Sequence, residues 1–129
     1  MRALAILTAV FVGLACAAPD SEGAAQDVTQ VEVLDLVAAP DGPLLLDVRT
    51  PGEYASGHVP GAVNIPHDEV GTRLSELEPY RERGVVLYCQ SGRRAGMATQ
   101  TLREAGFENL RHLKGDMAGW KESGLPTEP

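Results

Sequence analysis

Cysteine and histidine are scarce in this sequence. It has two cysteines, Cys16 and Cys89, and three histidines among its 129 residues. The cysteines are too far apart to form a Cys-x-x-Cys pair, and the histidines are too widely spaced to form a metal-ligand pattern. No glycine-rich loop ends in Gly-Lys-Ser or Gly-Lys-Thr, the signature of a nucleotide phosphate site. The sequence therefore predicts no metal ion and no cofactor.

Positive charge is also in short supply. The 11 Lys and Arg residues are outnumbered by 18 Asp and Glu residues, which gives a formal net charge of −7. An acidic surface repels nucleic acid and anionic lipid headgroups, because binding to either depends on basic side chains. Both are therefore excluded as direct partners, and an arginine at a functional site must act locally.

The sequence has no apolar run of the roughly 20 residues that a membrane-spanning helix needs. A shorter run, Ala3 to Leu14, comes after Arg2 and is followed by small residues. This pattern predicts a secretory signal peptide over residues 1–17 and therefore an exported protein.

Two cleavage sites fit the end of this segment. The run Gly13-Leu14-Ala15-Cys16 resembles the lipobox of bacterial lipoproteins, in which Cys16 is lipidated and becomes the N-terminus. The alternative is ordinary cleavage after Ala17. Residues 18–27 are small and polar without periodicity, as in a flexible linker. The expected location is the bacterial periplasm, either free or anchored to the membrane through the lipid.

Predicted strands and helices alternate over residues 28–129, which we expect to form one domain. Thr29 and Glu32 have the spacing of a capping box and predict a helix that continues to Ala38. Apolar runs predict strands at residues 44–48, 62–65 and 85–88 and within 107–113. Further helices are predicted from Val70, from near Arg94 with Met97, Ala98, Leu102 and Ala105 on its apolar face, and from Asp116. This alternation predicts a three-layer α/β domain with a mainly parallel sheet.

Cys89 stands at the junction between the predicted strand 85–88 and the helix near Arg94, with Gly92 in the compact loop between them. A thiol there lies near successive backbone N–H groups and the positive end of a helix dipole, and both favour the thiolate. The guanidinium groups of Arg93 and Arg94 act in the same direction. We interpret Cys89 as a sulfur nucleophile. The alternative is a small apolar residue that ends a buried strand.

Asp47 and Arg49 follow the other strongly apolar strand. In open α/β sheets, sites form beyond the carboxyl ends of the strands, which is where these two residues and Cys89 fall. We expect Arg49 to contribute to the rim around an anionic substrate. For Asp47 we expect a structural pair with an arginine at the strand end.

Several stretches match a known family in order and spacing. They are Leu45-Leu46-Asp47-Val48-Arg49, Glu53-Tyr54, Gly57-His58-Val59-Pro60-Gly61-Ala62, Asn64-Ile65-Pro66, Tyr88-Cys89-Gln90-Ser91-Gly92-Arg93-Arg94, and Leu113-Lys114-Gly115 with Trp120. Through them, the chain from about Thr29 to Pro126 resembles a single-domain rhodanese, a domain of the thiosulfate sulfurtransferase type. The resemblance implies a rhodanese-like domain in which helices flank a mainly parallel, five-stranded sheet.

The resemblance also implies an activity. Cys89 would take the outer sulfur of thiosulfate as a persulfide and pass it to cyanide or a thiol, and Arg94 matches the family's loop arginine. The substrate would be bound by Arg93 and by the backbone N–H groups of the loop, which comprises Gln90, Ser91 and Gly92. The implied partners are a small sulfur donor and a thiol or cyanide acceptor, with a protein acceptor as an alternative.

The chain departs from the family at one place. Where the family usually has two glycines after the last strand, this sequence has Gly115-Asp116. An aspartate suits the first turn of a helix, so we expect Asp116 to cap the final helix.

Other functions are weaker fits. Cysteine phosphatases and arsenate reductases use a longer loop, whereas four residues separate Cys89 from Arg94 here. The smaller ring of N–H groups suits a sulfur atom better than a tetrahedral phosphate. Non-enzymatic rhodanese-like binding modules typically lack the cysteine. A sulfur carrier for an exported protein partner is a further alternative.

Overall fold

The computed structural model describes residues 25–129. The predicted signal peptide, the lipidation site Cys16 and most of the predicted linker lie outside the described residues. The five strands of this part form one sheet in the order β1-β5-β4-β2-β3, and every neighbouring pair is parallel. Their bounds are β1 Gln26–Val28, β2 Leu44–Asp47, β3 Val63–Asn64, β4 Val85–Tyr88 and β5 Leu110–Leu113. Strand β4 is therefore the central strand.

Helices cover both faces of the sheet. They are α1 Gln30–Ala38, α2 Pro51–Ala55, α3 Leu74–Leu77, α4 Arg93–Glu104 and α5 Asp116–Glu122, with 3₁₀ turns at Val70–Thr72 and Glu78–Tyr80. Alternate residues of a strand point to opposite faces. In β4, Val85 and Leu87 pack in one core cluster with α4, and Val86 and Tyr88 pack in a second with α1 and α5. The predicted three-layer α/β fold is confirmed.

Local signals account for the ends of several elements. The Thr29 side chain accepts a hydrogen bond from the Glu32 N–H at 3.2 Å, as the capping-box spacing predicts, and α1 ends at Ala38. Helix α4 ends at Glu104, and Gly106 follows with a φ of +87°, a conformation that glycine adopts without steric cost. Trp120 in α5 is fully buried. None of the helices in residues 25–129 has the length and apolar character needed to cross a bilayer.

Three local predictions were wrong. Gln26 and Asp27, assigned to the linker, belong to β1, which pairs with Arg111–Leu113 of β5. A three-residue edge strand with one buried residue is too short to show a period. The helix predicted from Val70 is divided into short turns on either side of α3, and Pro79 lies in the second. Met97 is 52% exposed and does not belong to the core face of α4.

Candidate active site

Cys89 is the first residue after the central strand, at the carboxyl edge of the sheet, and its exposure is 1%. Its Sγ accepts a hydrogen bond from the Gly92 N–H at 3.0 Å. Gly92 has a φ of +113°, which side chains rarely tolerate, so the turn that aims this N–H at the sulfur depends on glycine. Helix α4 begins at the next residue, Arg93. The loop therefore folds back so that one of its N–H groups contacts the thiol.

Helix α5 holds the main chain of this loop. The Cys89 N–H donates to Oδ1 of Asp116 at 3.0 Å. The N–H groups of Met117 and Ala118 donate to the carbonyls of Cys89 and Gln90 at 2.9 and 3.2 Å. The N-cap of α5 is Gly115, and Asp116 is the first helical residue. The predicted role of Asp116 as a cap was therefore wrong, because its carboxylate bonds the cysteine loop instead of its own helix.

Arg94 is fixed by a residue from another helix. Its Nη1 and Nη2 donate to the two carboxylate oxygens of Glu53 in α2, at 2.6 and 3.0 Å. These bonds raise the pKa of Arg94 above its ordinary value, and a smaller contribution comes from the nearby Cys89. Glu53 therefore positions the predicted catalytic arginine, a role that the sequence did not reveal. Its sequence signal is the capping box formed by Thr50 and Glu53.

The contact with Arg94 lowers the pKa of Glu53 from 4.5 to about 2, with help from Thr50. The carboxylate therefore stabilises the folded chain above pH 4.5, and this contribution is lost as the pH falls through the folded-state pKa. We expect Glu53→Gln to lower the free energy of unfolding at neutral pH by about 1 kcal/mol, because the pair is partly exposed to solvent.

Urea unfolding of the wild type and Glu53→Gln at a series of pH values measures this contribution. The two free energies should differ at neutral pH and converge as the pH falls towards 2. A difference that stays constant over this range would show that the lost contact is not electrostatic.

Asp47 and Arg49 form a buried pair. Arg49 Nη2 lies 2.7 Å from Asp47 Oδ2 and donates to the Gly57 carbonyl at 2.8 Å, and the two side chains are 2% and 0% exposed. The predicted structural role of Asp47 is confirmed. The prediction that Arg49 lines the rim around a substrate was wrong, because its guanidinium is sealed inside the fold by these contacts. Two polar residues separated by one position at a strand end look the same in sequence whether they face inward or outward.

The remaining loop residues differ in exposure. Gln90 is half-buried, whereas Ser91 and Arg93 are exposed. Arg93 lines a groove of about 690 Å³ together with Met97 and Gln100 of α4. Arg94, which is 26% exposed and held against Glu53, is therefore the more constrained arginine. No group of three His, Cys, Asp or Glu side chains in residues 25–129 is arranged to hold a metal ion.

Known proteins share this fold and sequence pattern. The model of the Rhodanese-like domain family matches residues 29–123. Thiosulfate sulfurtransferase 16, chloroplastic, of Arabidopsis thaliana is 36% identical over 104 residues, which are 73% of this chain and 85% of that protein. An uncharacterized protein of Synechocystis is 41% identical over 87 residues, 67% of this chain, and the match spans only 48% of its length.

A solved structure gives the same result. The human single-domain sulfurtransferase superimposes with a TM-score of 0.65 at 32% identity, covering 77% of this chain and 97% of that one. The matched family region, residues 29–123, contains the cysteine loop, Glu53 and Asp116. The chain belongs to the family of rhodanese-like domains.

Proposed function

We propose that this protein is a sulfurtransferase that moves sulfane sulfur from thiosulfate, or a similar donor, to cyanide or a thiol through a persulfide on Cys89. The observation that carries the proposal is the placement of the Cys89 sulfur. It lies at the carboxyl edge of the sheet and accepts the Gly92 N–H at 3.0 Å, and the helix that follows carries Arg94, whose guanidinium is held by Glu53. The name of the Arabidopsis relative agrees with this activity.

The first half-reaction makes the persulfide. The Cys89 thiolate attacks the outer sulfur of thiosulfate with a lone pair, and the new S–S bond forms as the bond to the sulfonate sulfur breaks. That bond's electron pair leaves with sulfite, so no external oxidant or reductant is needed. The Gly92 N–H, which is already bonded to the thiol, can stabilise the negative charge that develops on sulfur. Fixed donors in a site shielded from water stabilise such charge strongly.

The second half-reaction returns the enzyme to its starting state. Cyanide or a thiolate attacks the outer persulfide sulfur, and the electron pair of the broken S–S bond returns to Cys89. The products are thiocyanate or a persulfide of the acceptor. A small or a protein acceptor fits this chemistry equally, because only its nucleophilic atom needs to reach the sulfur.

Arg94 fits the electrostatic requirement of the first step. A thiolate and a thiosulfate dianion repel one another, and sulfite leaves with two negative charges. The guanidinium, held by two hydrogen bonds to Glu53, is a cation that needs no rearrangement before the reaction.

Intact mass spectrometry tests the persulfide directly. After incubation with thiosulfate and removal of excess reagent, the wild-type protein should gain the mass of one sulfur atom, and cyanide or dithiothreitol should remove it. Cys89→Ser should gain nothing, because a hydroxyl is a far weaker nucleophile towards sulfur than a thiolate.

The same experiment separates the alternatives. A folded wild-type protein whose mass stays unchanged would contradict the proposal. It would favour the alternative that the protein is a non-enzymatic binding module. A sulfur gain that cyanide and small thiols do not remove would reject turnover to small acceptors and favour a sulfur carrier with a protein acceptor. Circular dichroism establishes that Cys89→Ser is folded.

A further inference from the structure

His112 of β5 lies between two carboxylates. Its Nε2 is 2.9 and 3.0 Å from the two oxygens of Asp116 in α5, and its Nδ1 is 3.2 Å from Oδ1 of Asp27 in β1. A neutral imidazole carries a proton on one nitrogen only, whereas the imidazolium carries one on each. With an acceptor facing both nitrogens, the geometry fits the charged form of His112.

Asp116 has a backbone conformation that is unfavourable for most residues other than glycine. Its φ is +54°, in the left-handed region where most side chains are unfavourable, and its exposure is 2%. Its carboxylate accepts the Cys89 N–H, and its Oδ2 would lie 3.2 Å from a Cβ at Gly92. A buried carboxylate therefore rests directly against the loop that carries the nucleophile.

This arrangement creates an electrostatic conflict. If the proposed function is right, the site must hold a thiolate and an anionic donor, and both are repelled by a nearby carboxylate. The charged groups that face His112 are Asp116 and Asp27, and Oδ1 of Asp116 is contacted both by the His112 ring and by the Cys89 N–H. A cation there can cancel the repulsion without displacing the hydrogen bond that holds the loop.

We propose that His112 is a positioning residue whose imidazolium neutralises Asp116, so that Asp116 can hold the Cys89 main chain without repelling an anionic sulfur donor. The inference rests on the proposed sulfurtransferase activity for its kinetic consequence. Its structural part, the dependence of the cysteine's reactivity on the His112–Asp116 pair, does not need that activity.

The titration of His112 gives the direction of the effect. The hydrogen bond and charge of Asp116, with a smaller contribution from Asp27, raise the pKa of His112 above its ordinary value of 6.5, although burial opposes the shift. As the pH rises through this raised pKa, the compensating charge is lost. Activity towards an anionic donor should then fall on the alkaline side, and folded-state stability from the pair should be lost over the same range.

The kinetic test measures kcat/KM for thiosulfate against pH with cyanide as acceptor. In a two-step transfer this parameter reports the first half-reaction, so the ionisation of cyanide does not enter. The wild type should show an alkaline decline of about tenfold. In His112→Gln, kcat/KM should already be about tenfold low near pH 6 and should show no such decline.

A double-mutant cycle locates the cause. Asp116→Asn keeps an acceptor oxygen for the Cys89 N–H and removes the charge, so its kcat/KM should show no alkaline decline. The double variant, Asp116→Asn with His112→Gln, should recover the kcat/KM that His112→Gln loses on its own. Asp116→Gly, which suits the positive φ, provides a second uncharged variant if the asparagine does not fold.

His67→Gln serves as the matched control, because it removes a histidine from the groove beside Arg93 instead of from the Asp116 contact. It should retain the alkaline decline of the wild type. If His112→Gln also retains that decline, or if the double variant is no more active than His112→Gln, the proposal is wrong.

Alkylation of Cys89 by iodoacetamide supplies a readout that does not depend on sulfur transfer. The reagent is uncharged and reacts with the thiolate, so His112→Gln should slow alkylation near pH 6 by about tenfold and the added Asp116→Asn should restore it. A wild type without thiosulfate turnover but with this alkylation pattern would reject the proposed function and support the inference. Equal alkylation rates in all variants would overturn it.

Discussion

Arg94→Ala is expected to lower kcat/KM for thiosulfate about a hundredfold, since a fixed cation beside developing negative charge contributes roughly 3 kcal/mol. Both outer nitrogens of its guanidinium are bonded to Glu53, which holds the charge in place, and this cation interacts electrostatically with Cys89. Steady-state kinetics with thiosulfate and cyanide measure the loss. Most of it should persist at high salt, because a partly buried fixed charge is poorly screened.

Arg93→Ala is the matched control for this prediction. Arg93 precedes Arg94 in the same helical turn but is exposed on the groove side of α4. Its contribution should be smaller and should fade with added salt, because it acts through solvent. A loss for Arg93→Ala that equals or exceeds that for Arg94→Ala, and that persists in salt, would reverse the two assignments. Circular dichroism checks that both variants are folded.

Arg49→Ala is expected to lower the free energy of unfolding by about 3–5 kcal/mol, the range for removing one partner of a buried ion pair. The Asp47 carboxylate is 0% exposed and is bonded by the Arg49 side chain through Nε and Nη2. Without that side chain, the buried Asp47 carboxylate loses its counter-ion, although the N–H of residue 49 still donates to its Oδ1, and the Gly57 carbonyl loses the Nη2 donor. Urea unfolding at neutral pH measures the change.

Arg73→Ala gives the comparison for Arg49→Ala. Arg73 makes a similar two-pronged contact with Glu76 at 2.6 and 2.9 Å, but the two side chains are 34% and 52% exposed. Exposed pairs contribute little to stability, so the loss for Arg73→Ala should be much smaller than that for Arg49→Ala. Equal small losses for the two variants would show that the buried pair is dispensable. A kinetic defect in Arg49→Ala without loss of stability would instead support the original prediction that Arg49 contributes to the substrate site.

The sequence predicted those features that depend on neighbouring residues. The apolar runs located β2 and β4, the Thr29 cap located the start of α1, and the junction of strand and helix at Cys89 placed the thiol at the sheet edge. Each depends on local conformational preference or on the burial pattern of a short segment. The stretches shared with a known family supplied the strand number and the proposed activity.

The features that the sequence did not reveal depend on contacts between distant segments. Glu53 is 41 residues from Arg94, and Asp116 is 27 residues from Cys89. In the sequence, Glu53 has the signature of a helix start, and an aspartate after the last strand also reads as a helix cap. Only the packing of α2 and α5 beside the cysteine loop gives these carboxylates their partners. The same limit applies to Arg49, whose inward orientation is set by Asp47 and Gly57.

The position of Cys89 at the end of the central strand links its chemistry to the cooperativity of folding. Strand β4 is hydrogen-bonded to β2 on one side and to β5 on the other, and all of its residues are buried. Hydrogen exchange in such strands usually requires opening of the whole domain, whereas edge segments open on their own. Fraying of β1 or β3 at the sheet edges therefore leaves the Cys89 sulfur in place. Loss of activity on heating should coincide with global unfolding, with no inactive but largely native species before it.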